Sequence, residues 1–349
     1  MSRCVGLGGL QAWLVEMRLP FLTASVIPVL LGTAVAWATT NTFLFPLFIL
    51  TLLGGVCLHI GTNVANDYFD HKSRDDDVNV EFVRPFSGGS RMIQLGMLTP
   101  RAVLSGALLF FAAGGAIGLY LALARGFVIL IFGLIGVFSG FFYTAPPFNL
   151  ASRGIGELFV GLNFGVMMTA GAFYVQTQAL TWEPVFAAIP VSMLITAVLY
   201  INEFPDYTAD KTVGKRHLVV RLGRRRAAVG YGVLMTSTYF SIFAGVGCKV
   251  ISPYTLLGIL TLPFAVRAVQ HAKVYHSEPS NLAPANASTI ITHLTTGLLL
   301  TVGYILEGIK PEGTVYIAVV GVISGLTVII LFVYRQMEHM RMASLGTRR

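Results

Sequence analysis

The chain has 349 residues, of which 55% are hydrophobic and 11% are charged, and its formal net charge is +8. Soluble globular domains carry about 25% charged residues, so this composition excludes the soluble class and is typical of an integral membrane protein. The three cysteines lie far apart in the sequence, which excludes a disulfide framework and a cysteine-based metal site.

Apolar runs of roughly 20 residues recur along the chain, each long enough to cross about 30 Å of hydrocarbon as a helix. The predicted fold is therefore all-α: a polytopic bundle of membrane-spanning helices that forms one domain, residues 1–349. We predict ten spans, with edges uncertain by about 2–4 residues, at 20–39, 43–65, 102–124, 127–145, 157–177, 184–203, 226–247, 252–271, 288–307 and 314–334.

Basic residues alternate between loops as the positive-inside rule requires. Of the 24 Lys and Arg residues, Arg125, Lys249 and Lys310 follow odd-numbered spans, and the others are assigned to the termini or to loops after even-numbered spans. An even number of spans then puts both termini in the cytoplasm, with the loops that follow spans two and six. The same clustering assigns the positive charge to membrane topology and not to nucleic-acid binding.

Span two ends in a charged stretch, NDYFDHKSRDDD, which runs from Asn66 to Asp77. If the helix continues through this stretch, Asn66 and Asp70 share one face about a turn apart, because they are separated by four residues. Asn63 and Asp67 form a second pair with the same spacing.

Span six ends in a matching stretch, NEFPDYTAD, in which Asn202, Asp206 and Asp210 form one stripe along a helix. Uncompensated carboxylates repel one another and are costly beside hydrocarbon, so two such stripes at one membrane surface indicate a bound cation. Mg²⁺ prefers oxygen ligands and is commonly held by a few carboxylates together with substrate phosphates. The two stripes therefore predict Mg²⁺ as a cofactor and a diphosphate as a substrate.

Basic residues near the two stripes are candidates for stabilising the charge of a diphosphate leaving group. They are Arg18, Lys72, Arg74, Arg84, Arg91, Lys211, Lys215, Arg216 and Arg221. Two alternatives remain: solvated loops whose charges serve topology alone, and a secondary transporter. A transporter is expected to place its polar site near the bilayer midplane on broken helices, whereas the acids here lie at the ends of spans.

These stretches resemble the UbiA-type intramembrane aromatic prenyltransferases, from RLPFLTASVIPVLLG through the ninth span. Within that family, four stretches are most similar to the menaquinone branch, the 1,4-dihydroxy-2-naphthoate polyprenyltransferases: NDYFDHKSRDDD, RPFSGGSRMIQLG, YTAPPFNLASRGIGEL and NEFPDYTADKTVGKRHLVVRLG. The resemblance implies nine helices in a core of about residues 10–308 and an active site that faces the cytoplasm. The tenth predicted span, 314–334, is extra to the family.

The resemblance also implies roles for particular residues. Asp70, Asp206, Asp210 and Tyr143 would be catalytic, and Tyr143 would cover the reactive carbon. The diphosphate contacts would be Arg18, Lys72, Arg91 and Lys211. The Mg²⁺ ligands would be Asn66, Asp67, Asp70, Asn202, Asp206 and Asp210. One of Asp75, Asp76 and Asp77 corresponds to the outer acid of the family, and the spacing favours Asp76.

The activity implied by the resemblance is Mg²⁺-dependent transfer of a polyprenyl group, in the inner membrane of the cell, from a polyprenyl diphosphate to an aromatic acceptor. The branch implies 1,4-dihydroxy-2-naphthoate, in menaquinone biosynthesis; 4-hydroxybenzoate, homogentisate or a lipid alcohol are the alternatives. The chain departs from the family at His217, where a threonine is more usual, and in FNLASRG, which lacks a basic residue often found before RG.

Overall fold

A computed structural model of the chain describes residues 9–309, and the regular secondary structure of these residues is helical, as predicted. Eight helical segments are long and apolar enough to cross a membrane, and a ninth apolar helix, Phe127–Phe141, is shorter. At about 1.5 Å per residue this helix extends about 22 Å. All nine segments coincide with predicted spans one to nine, and the predicted tenth span, 314–334, lies outside the described residues.

The first spanning segment joins two helices through a short 3₁₀ turn, and the fifth contains a π-helical turn, Gly161–Met167. In chain order the helices are α1 (Gly9–Glu16), α2 (Thr23–Thr40), α3 (Phe45–Ser73), α4 (Asp75–Val78), α5 (Pro100–Arg125), α6 (Phe127–Phe141), α7 (Gly156–Val160), α8 (Met168–Thr177), α9 (Glu183–Thr212), α10 (Leu218–Leu222), α11 (Arg224–Gly247), α12 (Leu262–Tyr275) and α13 (Ala283–Ile309).

The bundle is built from helices that pack side by side. Helix α3 packs along α5, α2 packs against both α8 and α13, and α9 packs against α11. Without a hydrophobic driving force between helices in lipid, such packing depends on small residues that let backbones approach closely. Buried alanines such as Ala34, Ala36, Ala187 and Ala197 fill these contacts, and the larger apolar side chains complete them.

The close approach of α2 to α8 depends on Gly32. A methyl group at this position would lie 2.1 Å from the backbone oxygen of Thr169, a contact that only backbone movement can relieve. We expect Gly32→Ala to lower the free energy of unfolding in detergent by about 1–3 kcal/mol, as overpacking generally does. Gly115→Ala is the control, because a methyl group there meets nothing within 4 Å. Equal melting temperatures for the two variants would contradict this packing.

Two helices extend past their predicted spans and carry the charged stretches with them. Helix α3 continues to Ser73 and ends where Arg74 adopts a left-handed conformation, with φ of 66°. Helix α9 continues to Thr212, although it contains Pro190 and Pro205. The predicted ends of spans two and six, at residues 65 and 203, are therefore too early, and the condition that both acidic stretches be helical is met.

Candidate active site

The first acidic stripe consists of Asn66 and Asp70 on one face of α3. Both residues line the polar end of a large cavity. Asp67 follows Asn66 directly, and adjacent residues of a helix do not share a face. The Asp67 side chain is buried behind the wall. There its carboxylate accepts hydrogen bonds from the Arg18 guanidinium and, at 2.9 Å, from the backbone N–H of Ser90.

The second stripe faces the same cavity, and Asn202, Asp206 and Asp210 all line it. Two of these side chains are held by neighbouring amides. The Nδ2 atom of Asn286 donates to Asn202 Oδ1 at 2.7 Å, and the Nδ2 atom of Asn79 donates to Asp206 Oδ1 at 2.7 Å. Because Asn79 directly follows α4, the segment after the first stripe helps to position the second.

One ammonium group joins the two stripes. Lys215 Nζ lies 3.5 Å from a carboxylate oxygen of Asp70, 2.8 Å from Asp75 and 3.5 Å from Asp210. Burial alone would lower the pKa of Lys215, but the three carboxylates outweigh burial and raise the pKa well above its ordinary value. The side chain therefore stays charged, and the two helix ends converge on one positive charge.

The three acids that follow α3 occupy different environments. Burial raises the pKa of Asp75, but the neighbouring ammonium and hydrogen bonds outweigh it, so the pKa lies below its ordinary value. The pKa of Asp76 is raised to about 8 by burial and by the carboxylates of Asp70 and Asp67. Asp75 and Asp76 line the cavity, whereas Asp77 is exposed.

A buried cluster that the spacing did not reveal lies beside the second stripe. His217 Nε2 is 2.8 Å from Asp210 Oδ2, and its Nδ1 is 3.2 Å from Glu203 Oε2. Burial alone would lower the pKa of His217, but the carboxylates of Glu203 and Asp210 raise it to about 10. Glu157 completes the cluster and accepts the backbone N–H of Leu218 at 2.6 Å. His217 therefore links the side chains of Asp210 and Glu203, which both lie on α9.

The predicted basic residues separate into two groups. Arg18 lines the cavity; its guanidinium is bound to Asp67 and lies 3.4 Å from Asn66 Oδ1. Arg84, one of the wider set of candidates, lines the cavity as well.

The other predicted diphosphate contacts lie outside the cavity wall. Lys72 is exposed. The Arg91 guanidinium lies 4.5 Å from the ring centroid of Phe82, and the exposed Lys211 ammonium lies 5.7 Å from that of Tyr207. The structure thus brings Arg18 and Lys215 to the acidic stripes, whereas Lys72 and Lys211 are exposed. Arg91 is half-buried outside the cavity wall, where its guanidinium lies 3.4 Å from the carbonyl oxygen of Asn79.

The cavity has a volume of about 830 Å³, within the range of small-molecule sites. Tyr143, which follows α6, lines it together with the acidic stripes, so the structure brings all four predicted catalytic residues to one space. Away from the acids the wall is largely apolar and includes Leu58, Ile117, Phe132 and Met168.

The donor set at the polar end fits a hard divalent cation. Carboxylate and amide oxygens from Asn66, Asp70, Asp206 and Asp210 face one cavity, and these are the ligand types that Mg²⁺ prefers. Within the described residues 9–309, the buried Oδ1 atom of Asp75 has no hydrogen-bond partner, so the site holds an unsatisfied oxygen beside the stripes. The residues can hold a cation and the diphosphate that it accompanies.

Comparison with known proteins gives one family: the model of the UbiA prenyltransferase family matches residues 25–290. The chain is 29% identical to the 2-carboxy-1,4-naphthoquinone phytyltransferase of Synechocystis, over 84% of this chain and 93% of that protein. It is 28% identical to the 1,4-dihydroxy-2-naphthoate octaprenyltransferase of Bacillus subtilis, over 82% of this chain and 89% of that protein.

Solved structures of UbiA homologs share the fold. The apo UbiA homolog of Aeropyrum pernix K1 superposes with a TM-score of 0.61 and 15% identity, over 82% of this chain and 98% of that chain. The UbiA homolog of Archaeoglobus fulgidus bound to GPP and Mg²⁺ gives a TM-score of 0.55 and 17% identity, over 86% and 98%. These likenesses agree with the helical bundle described above.

Proposed function

Because the chain belongs to the UbiA prenyltransferase family, we propose that it transfers a polyprenyl group from a polyprenyl diphosphate to 1,4-dihydroxy-2-naphthoate, in menaquinone biosynthesis. One observation carries the proposal: two acidic stripes on separate helices converge at the mouth of a deep apolar cavity. The names of the Synechocystis and Bacillus subtilis relatives, both of which act on naphthoate-type rings, support the choice of acceptor.

In this proposal the Mg²⁺ ligands are Asn66, Asp70, Asp206 and Asp210, with Asn202 at the edge of the set. Bound Mg²⁺ would neutralise the diphosphate and stabilise the charge that grows on it during bond cleavage. The Archaeoglobus fulgidus homolog bound to GPP and Mg²⁺ supports this pairing of metal and substrate. We propose that Asp67 acts from behind the wall, where it holds Arg18 against the site.

The basic side chains at the cavity mouth bind and orient the leaving group. Arg18 and Lys215 present charged donors beside the stripes, so they stabilise the diphosphate as the bond between C1 and oxygen breaks and both electrons leave with oxygen. Arg84 is a third donor that lines the same space.

The apolar part of the cavity protects the allylic cation that remains. Its wall excludes water that would quench the cation, and the Tyr143 ring lines the space in which the cation forms. The aromatic carbon that carries the acceptor carboxylate attacks C1, and the ring regains aromaticity by losing CO₂. An acceptor without a carboxylate at the attacked carbon would lose a proton instead.

We also propose that residues 1–349 form one prenyltransferase domain, that the membrane is the inner membrane of the cell, and that the acidic stripes and both termini face the cytoplasm. The distribution of Lys and Arg between loops supports this orientation. The acids of the two stripes lie at the C-terminal ends of α3 and α9, which argues against a transporter with its polar site at the bilayer midplane.

The test is to incubate the purified protein in lipid with a labelled polyprenyl diphosphate, Mg²⁺ and one aromatic acceptor at a time. We expect a prenylated naphthoquinol, identified by its mass, and no product after chelation of Mg²⁺ with EDTA. Recovery of product formation when Mg²⁺ is added back is the control, because it shows that EDTA did not damage the protein. Product formation that persists in EDTA would contradict the metal assignment. If only 4-hydroxybenzoate or only homogentisate gave a product, that compound would be the acceptor and the naphthoate assignment would be wrong.

A further inference from the structure

The apolar part of the cavity is a deep arm that runs beside α3. Residues on one face of this helix line it from Asp70 at the polar end, through Thr62 and Leu58, to Thr51. At about 1.5 Å per residue this face is about 28 Å long, close to the roughly 30 Å thickness of bilayer hydrocarbon. The arm therefore extends from the acidic stripes almost to the opposite membrane surface.

The far end of the arm is closed by packed side chains. Leu121, Ile129 and Val175 line it there and form one buried apolar cluster. Behind them the Arg125 guanidinium donates to the carbonyl oxygen of Val175 at 2.7 Å and to that of Gln176 at 3.0 Å. Because the ends of α5 and α8 are tied together in this way, the floor of the arm belongs to the fixed structure.

On the α5 and α6 side, part of the wall consists of bare backbone. Gly118, Gly133 and Gly136 line the cavity, and a methyl group built on any of the three meets nothing within 4 Å. Gly118 and Gly133 lie at similar distances from the turn between α5 and α6, and Gly136 lies about 4.5 Å nearer the polar end. Side chains at these positions would enter the cavity without displacing a neighbour.

We infer that Gly118, Gly133 and Gly136 set the longest tail that the enzyme accepts, because the tail of a polyprenyl diphosphate whose head group lies at the polar end must enter this arm. The inference rests on the proposed function, since the diphosphate of the same molecule occupies the polar end. An isoprenoid tail is apolar throughout and matches the apolar wall. A short tail would leave most of the arm empty, whereas a long tail must pass the three glycines.

The test measures kcat/KM for geranyl, geranylgeranyl and octaprenyl diphosphate with one acceptor. The wild type should prefer the longer donors. Gly136→Leu and Gly133→Leu should keep geranyl diphosphate as a substrate and lower the octaprenyl-to-geranyl ratio by about 10-fold or more, because a pocket that is too small rejects extra carbon atoms. Gly136→Leu, nearer the polar end, should also reject geranylgeranyl diphosphate more strongly than Gly133→Leu does.

Gly115→Leu is the matched control: this glycine is on α5, has open space around it and lies on the exposed face. Use of geranyl diphosphate by the variants shows that they fold. The inference would be overturned if the octaprenyl-to-geranyl ratio of kcat/KM were unchanged in the Gly133→Leu and Gly136→Leu variants. It would also be overturned if the wild type preferred geranyl diphosphate. If the wild type prenylates no acceptor, the proposed function fails. In that case, the affinity for labelled octaprenyl diphosphate in the presence of Mg²⁺ tests the inference separately. The inference requires weaker binding to Gly133→Leu than to the wild type, and unchanged binding to Gly115→Leu.

Discussion

Asp70→Asn and Asp206→Asn should each lower kcat for prenyl transfer by about 10²–10³-fold or more, the range that follows the loss of a preorganised electrostatic group. Asp70 lies on α3 and Asp206 on α9, so the two substitutions each remove one negative charge from a different wall of the cavity. Each should therefore also raise the Mg²⁺ concentration needed for half-maximal activity. The two variants keep the shape of the side chain. They also relieve repulsion among carboxylates, so the folded state should persist.

The measurement is the initial rate of prenyl transfer as a function of Mg²⁺ concentration, with melting temperature recorded for each variant. Asp77→Asn is the matched control, because Asp77 belongs to the same run of acids but is exposed, with its carboxylate 3.8 Å from Arg74. It should behave as the wild type does. If both cavity variants retain wild-type activity and Mg²⁺ dependence, the acidic stripes are not the metal site.

Much of the fold follows from the sequence because a bilayer imposes a strong rule. Every backbone polar group within hydrocarbon must be satisfied internally, so long apolar runs become helices. All nine predicted spans within residues 9–309 coincide with helices, including the short Phe127–Phe141. The span ends were less predictable, since α3 and α9 leave the apolar region and continue as helices through polar sequence to Ser73 and Thr212.

The helical spacing also predicts which acids face the cavity. Asn66 and Asp70 fall on one face of α3, and Asn202, Asp206 and Asp210 on one face of α9. The resemblance to the family implied Asp67 as a further ligand, and the structure places that side chain behind the wall. Its partner Arg18 comes from the turn after α1, and such a contact between distant segments has no signature in local spacing.

The cluster around His217 shows a second limit of sequence reasoning. His217 follows α9, and its partners Glu203 and Glu157 lie on α9 and α7. No spacing rule connects a loop residue to side chains on two different helices. The signal that was present is the histidine itself, at a position where the family resemblance suggests a threonine. A buried ion pair that fixes Asp210 explains why a charged ring can occupy this position.

The second large effect is expected at Lys215. Adjacent residues of a helix do not share a face, so Lys211, next to Asp210 on α9, points outward over Tyr207. The chain then turns at Gly214, with φ of 83°, and the backbone N–H of Lys215 donates to the Asp210 carbonyl oxygen at 2.8 Å. This turn brings a later lysine back to the stripes. The structure therefore favours Lys215 over Lys211 as the cation beside the diphosphate.

Lys215→Met should lower kcat/KM for the polyprenyl diphosphate by about 10²–10³-fold, and Lys211→Met should leave it near the wild-type value. Loss of the ammonium also removes the cation that three carboxylates share, so the Lys215→Met protein should melt at a lower temperature without Mg²⁺. A ligand that binds the folded state stabilises it. Added Mg²⁺ should therefore raise the melting temperature of this variant more than that of the wild type. A large loss of activity in Lys211→Met, with Lys215→Met unaffected, would show that Lys211 and not Lys215 contacts the diphosphate.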